Sequence, residues 1–307
     1  MTTFDTTAIH KGISGIPTLS SSCMKVSLSI GVPPLSKKDR QASEEVTHAK
    51  NANRGRAIVR KSLIDSSWHR QIKTLEGEAR AYHRKKTLAW GDLGERLLVN
   101  QILVEYQHGI GDYSKQFWDA VEKFLAAYPA DVARQQMELG DLFDESDYPS
   151  VEELRSKFRF RVTFDRLADV GDFRSDIQNT AMQEVAKQYE ESMQAFINES
   201  MAEFVERLTV PLANMSDKLD YDEEGKPRNG HFKGTLVTNV LEIVDVMKAF
   251  NIVDNPQLEQ VRQELRAALS GVTAEQLKQN DGLRRKTKHE IDKVRETIAS
   301  LGNGGWV

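Results

Sequence analysis

The strongest chemical signal in this chain is a run of cations interleaved with aromatic side chains. Arg54, Arg56, Arg60, Lys61, Arg70, Lys73, Arg80, Arg84, Lys85 and Lys86 surround Trp68, His69, Tyr82, His83 and Trp90. Cations neutralise phosphates and release counterions, while aromatic faces stack on unpaired bases, so the mixture suits single-stranded nucleic acid. The expected binding set is those ten cations with Tyr82, His83 and Trp90. The plain alternative is a solvated helix face that pairs with acids elsewhere, with Trp68 and Trp90 in the core. Between Ser36 and Lys86 fourteen Lys or Arg stand against six Asp or Glu, leaving that segment at +8. In a chain of formal net charge −4 the remainder must therefore carry −12, an asymmetry that points to an anionic partner. Arg284-Arg285-Lys286-Thr287-Lys288 is a second, shorter basic patch.

Other chemistries lack their residues. Neither G-x-x-x-x-G-K-[ST] nor G-x-G-x-x-G occurs, and the glycines at 225, 230 and 234 read as turn formers rather than a phosphate cradle. The seven histidines are scattered without an H-E-x-x-H or H-x-x-x-H pair, and one cysteine cannot build a thiolate zinc site. No G-x-S-x-G elbow is present. The acids Asp141, Asp144, Glu145, Asp147, Glu152 and Glu153 could hold Mg²⁺ for a metal-dependent nuclease, but they also suit a solvated turn before a helix N-terminus. The expectation is a non-enzyme with no catalytic residue, no metal and no cofactor.

These residues must be positioned by a mostly helical scaffold. The chain has 307 residues, 39% hydrophobic and 29% charged, enough for a sizeable core and one or two domains. Cys23 excludes an intramolecular disulfide, and no run approaches the roughly 20 apolar residues that span a bilayer. The N-terminus lacks the charged-then-apolar order of a secretory leader, so a cytoplasmic setting without membrane contact is expected.

Met24, Val26, Leu28 and Ile30 alternate with polar residues, the pattern of a half-buried strand that Gly31 and Pro33-Pro34 end. From Lys37 to Tyr106 the pattern is helical in two or three pieces. A helix over 113–139 is expected to kink or split at Pro129. Ser150 and Glu153 have capping-box spacing. Phe158-Arg159-Phe160-Arg161-Val162-Thr163-Phe164 alternates without exception and is expected to pair with 24–30. At a sheet edge this strand could recruit a partner strand or a second copy; otherwise its phenylalanines are core. Tyr189 to Leu208 forms an amphipathic stripe closed by Pro211, and its methionines, with Met182, read as core filler. Residues 220–234 form a polar loop. Further helices span 236–250, start at Asn255-Pro256, and run from the Thr273/Gln276 capping box to Leu301.

The expected fold is mainly α, α+β in detail: an elongated helical bundle with one small antiparallel two-stranded sheet, about 24–30 with 158–164. The expected organisation is a flexible segment 1–22, a main helical domain 23–219 with the small sheet, a C-terminal helical subdomain 235–301, and a flexible tail 302–307.

Several stretches together resemble a family of uncharacterised proteins of tailed bacteriophages and mobile elements. They are Lys37–Arg40, Tyr82–Asp92, Leu142–Ser150, Phe158–Phe164 with Gly171-Asp172-Phe173-Arg174, Phe232–Val237 and Leu283-Arg284-Arg285. Ala89 stands where that family commonly has proline. The resemblance implies a phage protein in the cytoplasm of a host bacterium, from early DNA-metabolism genes, sometimes near MoxR-type AAA+ ATPases; it implies no reaction. Two expectations follow. One is a non-enzymatic accessory protein binding nucleic acid, single-stranded DNA by preference, in genome replication or recombination. The other is a self-assembly or protein-interaction module docking on a phage or host partner such as an AAA+ ATPase or a defence protein.

Overall fold

Alternation and capping signals place the elements in a computed structural model that describes residue 19 and residues 21–91, 94–167, 180–228 and 232–301, giving only the backbone of 180–183, 185, 186 and 190. The segment 302–307, nearly all of 1–22, the 171–174 stretch and the Met182 side chain lie outside the described residues. The protein is mainly helical. In chain order come β1 (Cys23–Gly31), β2 (Ser36–Asp39), α1 (Arg40–Ala49), β3 (Val59–Ser62), α2 (Ser67–Lys85), β4 (Leu88–Ala89) and β5 (Arg96–Val99). They are followed by α3 (Leu103–Leu139), α4 (Val151–Lys157), β6 (Arg159–Arg166), α5 (Thr180–Leu219), α6 (Thr235–Phe250), α7 (Pro256–Leu269), α8 (Ala274–Gln279) and α9 (Asp281–Leu301).

The two strands legible in the sequence, β1 and β6, are neighbours, but in a four-stranded sheet of order β4-β5-β1-β6 rather than alone. β5 pairs antiparallel with both β1 and β4. A separate two-stranded sheet joins β2 to β3, also antiparallel. The stretch 37–106, expected to be helical, thus holds among its described residues four strands besides α1, α2 and the start of α3. Arg96–Val99 is a short apolar run that periodicity cannot tell from buried helix. In β2 the adjacent Lys37 and Lys38 hide the alternation, because both look polar.

Pro129 and Pro211 do not end their helices; both sit inside α3 and α5. An interior proline removes one hydrogen bond and crowds the carbonyl four residues back, at a cost of about 3 kcal/mol. Packing on both sides offsets it. Tyr128 and Asp131 are buried around Pro129, and Leu208 and Leu212 around Pro211.

The chain divides into two compact units. The first comprises the described residues among Met1–Ser27, Lys86–Leu103 and Phe164–Val307, so the 220–234 loop lies inside it; the second comprises Leu28–Lys85 and Val104–Thr163. In the first, Met193, Ile197, Met201, Phe204, Leu208, Leu212, Met215 and Leu219 recur at steps of four and three, forming one apolar stripe on α5. It joins a core with Val240 and Val244 of α6, Val261 and Leu265 of α7, and Ile291 and Val294 of α9. The buried Arg284 of α9 closes the C-terminus of α5, donating to the carbonyls of Lys218, Leu219 and Asp220 beside the rings of Tyr221 and Phe232. It thereby satisfies carbonyls that a helix end leaves without partners.

The α5 helix also seals the outer edge of β4. Ser200 donates to the Ala89 carbonyl, Glu203 accepts from the Ala89 amide, and Arg207 donates to the Thr87 carbonyl at 2.8 Å. Both expected capping boxes form, at Ser150/Glu153 and Thr273/Gln276. The second opens only the short α8, because Asn280 ends it and its side chain accepts from the Leu283 amide to start α9. Cys23 begins β1 and is buried there; burial pushes its thiol up to about 12, which leaves it unreactive at neutral pH.

In the second unit α2 turns Ile72, Leu75, Ala79 and His83 inward, and α3 buries Phe117, Val121, Phe124 and Tyr128. Phe158 packs against Phe117 and Phe124. Gly109 of α3 lies under the Tyr82 ring, where a Cβ would stand 2.2 Å from the hydroxyl oxygen. That ring cannot simply swing away, since its hydroxyl donates to the Glu105 carbonyl at 2.9 Å and its face stacks on Tyr106. Gly109→Ala should therefore destabilise the protein by about 1–3 kcal/mol, read as a shifted urea midpoint. An unchanged midpoint would show that Tyr82 is not held as described.

Candidate nucleic-acid interface

The β2–β3 ladder sorts the cations of the basic stretch by the simplest rule of a strand, that neighbours point to opposite faces. Lys37 lies opposite Lys61, and Lys38 opposite Arg60. Two lysines facing each other across an antiparallel pair repel. Here they share a counterion: the carboxylate of Asp147, 1% exposed, is ion-paired with Lys37 and with Lys61, the latter at 2.7 Å. Lys61, itself only 8% exposed, also donates to the Leu142 carbonyl and approaches Asp39 at 3.9 Å. Burial raises the Asp147 carboxyl, but the hydrogen bonds and charges of Lys37 and Lys61 outweigh it and hold the group below the usual aspartate value.

The opposite face carries Lys38 and Arg60 exposed to solvent. Arg60 is steadied by hydrogen bonds to the carbonyl and hydroxyl oxygens of Ser36. Between the strands, Asp39 caps α1 by accepting from the Ala42 amide at 2.9 Å. Ser43 accepts from the Val59 amide and donates to the Asp39 carbonyl, which ties α1 to the ladder. The return loop places Asn51 and Gly55 at positive φ, and Gly55 at +83° adopts a conformation that side-chain-bearing residues rarely take. Lys38, Arg40, His48 and Arg54 line an open cleft of about 620 Å³ formed by this β2-α1-β3 unit. Arg54 is 94% exposed and reaches Glu44 only at 3.8 Å, a contact worth little in water. Lys50 and Arg56 are exposed on the same loop.

The remaining residues of the expected set fare differently. Arg70 is paired with Asp65. Lys73 and Arg84 are exposed on α2. Arg80 donates to the Ile30 carbonyl at 2.8 Å and pairs with Glu76, so it fastens α2 to β1. Lys85 and Lys86 are half-buried, and each has an interaction partner. The aromatic members do not offer bases an open face. Tyr82 is half-buried against Tyr106 and Tyr113; His83 is buried with its Nδ1 2.8 Å from the Tyr106 hydroxyl. Trp90, 4% exposed, packs against Phe196 in the first unit. Lys123 covers the ring of the half-buried Trp68, and His69, its basicity lowered chiefly by burial, contacts the Pro33 carbonyl.

The second basic patch is likewise divided. Arg284 is buried, Arg285 stacks on Tyr221, and Lys288 bridges Ser216 and Asp292, leaving Lys286 exposed. Sequence reading missed Lys38, Arg40 and His48 as members of one surface, because a helical reading of 37–49 conceals the strand that turns Lys37 toward Asp147 and Lys38 to the opposite face.

Of the acids weighed for a cation, Asp144 caps a short 3-10 turn by accepting from the Ser146 amide, and Asp147 is held by its two lysines. Among the described residues no three His, Cys, Asp or Glu side chains gather as metal ligands, and no helix is long and apolar enough to cross a membrane. No family model matches the chain, and neither a curated protein nor a solved structure does.

Because the Asp147 carboxyl titrates lower in the folded than in the unfolded chain, its stabilisation is complete above the unfolded value near 4 and is lost as pH falls through the folded one. Asp147→Asn should lower stability by about 3 kcal/mol at pH 7, since it leaves Lys37 without its counterion and the buried Lys61 with only the distant Asp39 at 3.9 Å. The deficit relative to the parent should shrink below about pH 4, as followed by urea unfolding across pH. A deficit independent of pH would rule out the charge as its cause.

Proposed function

We propose that the protein is a non-enzymatic accessory factor that binds nucleic acid through the phosphodiester backbone, using the outward face of the β2-α1-β3 unit. The observation that supports this reading is the ladder register, which pairs off Lys37 and Lys61 around Asp147 and presents Lys38 and Arg60 to solvent beside Arg40, His48 and Arg54. Exposed cations of this kind gain affinity by releasing counterions and carry no sequence information. The burial of Trp90 and His83 removes the stacking that would favour unpaired bases over duplex. Binding should accordingly be sequence-independent and of similar strength on single and double strands. A place in phage genome replication or recombination, in the cytoplasm of a host bacterium, rests on the family resemblance and is part of the proposal.

Fluorescence anisotropy with labelled oligonucleotides tests it. The parent should bind at about 20 mM salt and weaken steeply as salt rises. Replacing Lys38, Arg40, Arg54 and Arg60 together by Glu should weaken binding by tenfold or more and flatten the single-strand salt slope by about 3, at about 0.7 for each phosphate no longer neutralised. Arg70→Gln, which removes a cation already paired with Asp65, should change affinity by no more than about twofold. Absence of binding by the parent at low salt would sink the proposal.

A further inference from the structure

One end of the four-stranded sheet is sealed and the other is not closed by any described strand. At the β4 end, side chains of α5 occupy the backbone groups of Thr87 and Ala89. At the other end β6 is the last strand, and no described strand lies beyond it. An edge of eight residues is long enough to template pairing. Its side chains alternate between apolar and polar from Arg159 to Asp165. Phe160, Val162 and Phe164 point to one face, where Phe117 packs on Phe160 at 5.4 Å. Arg159, Arg161, Thr163 and Asp165 point to the other; Arg159, Arg161 and Asp165 are exposed, as is Phe164 at 40%.

We propose that β6 pairs antiparallel with β6 of a second copy about a two-fold axis through Val162, giving a continuous sheet with four strands from each copy. Two constraints narrow the register. Backbone groups facing the open edge belong to every second residue, so outward-facing residues must oppose outward-facing residues. The apolar faces of the two copies must also lie on the same side of the joined sheet. Both conditions require the numbers of opposed residues to sum to an even value.

Three central registers remain. An axis through Arg161 sets two arginines directly against each other, which repels. An axis through Thr163 sets Phe160 against Arg166. An axis through Val162 sets Phe160 against Phe164, Val162 against itself and Arg159 against Asp165, each pair occurring twice except the one on the axis. Over Arg159–Asp165 aromatic meets aromatic and the one acid of the strand, Asp165, meets a base. The charges on this edge, which would discourage pairing with an arbitrary strand, are thus complementary to a second copy of the same strand.

The partner is a second copy of this chain, and the test is its solution mass combined with a charge swap. Sedimentation equilibrium of the parent should show a reversible dimer at micromolar concentrations. Arg159→Asp and Asp165→Arg, each at an exposed position that should leave the fold intact, create like-charge pairs and should each weaken the dimer by about tenfold. The double variant Arg159→Asp with Asp165→Arg restores both pairs with signs reversed and should recover parental dimerisation to within about threefold. In a Cys23→Ser background, Val162→Cys should form an intermolecular disulfide on mild oxidation, since directly opposed Cβ atoms lie about 4.5–5.5 Å apart, whereas Arg161→Cys should not. A parent that remains monomeric throughout, a dimer indifferent to the single reversals, or one weakened by them and not rescued by the swap, would overturn the proposal. Nucleic-acid binding by a monomer would leave the proposed function standing while removing this one.

Discussion

A single buried carboxylate decides how the basic half of this protein can be used. Asp147 lies between Lys37 and Lys61, which the β2–β3 register sets directly opposite one another. With the counterion in place the pair fastens the small sheet to the turn before α4. The same register then leaves Lys38 and Arg60 exposed on the other side, where no ion pair to either is seen among the described residues. A buried charge pair is weak evidence for net stability, because desolvation costs about as much as attraction returns. Its better-supported role is to fix register, and here register determines on which face each cation stands.

The contrast between paired and unpaired cations runs through the molecule. Arg80 and Arg284 serve backbone carbonyls, at Ile30 and at the end of α5, and so contribute to architecture. Arg96 and Arg207 serve Glu203, whose carboxyl burial would raise but whose two arginines hold low. Net charge along the sequence counts all of these equally, although only side chains without such duties can serve a phosphate. Lys73, Arg84 and Lys286 also stay exposed after that sorting, but the cations that line one cleft together belong to the β2-α1-β3 unit, smaller than the 54–90 stretch and displaced toward its N-terminal side.

Legibility in the sequence followed the strength of local signals. The uninterrupted alternation from Phe158 to Phe164, the Ser150/Glu153 box and the Asn255-Pro256 start were all readable, because each rests on neighbours within a few residues. β2 and β3 were not, since they stabilise one another only across α1 and through Asp147, more than a hundred residues from Lys37. Pro129 and Pro211 misled for the related reason that packing around them, and not local preference, keeps α3 and α5 continuous. The candidate surface failed to appear for the same cause. Cations can be counted from a sequence, but whether each faces inward depends on contacts distant along the chain.

The seal over β4 has a consequence of its own. Ser200, Glu203 and Arg207 lie about one helical turn apart and engage backbone groups of Thr87 and Ala89, at either side of Leu88. A helix whose stripe of Met, Leu and Phe repeats every few residues could slide by a turn and still find apolar neighbours, because greasy contacts discriminate poorly between equivalent positions. Three directional bonds to so short a stretch of backbone admit one axial setting. The edge of β4 therefore works as a detent, a notch that fixes where the long rod of α5 comes to rest and with it every helix packed along its length.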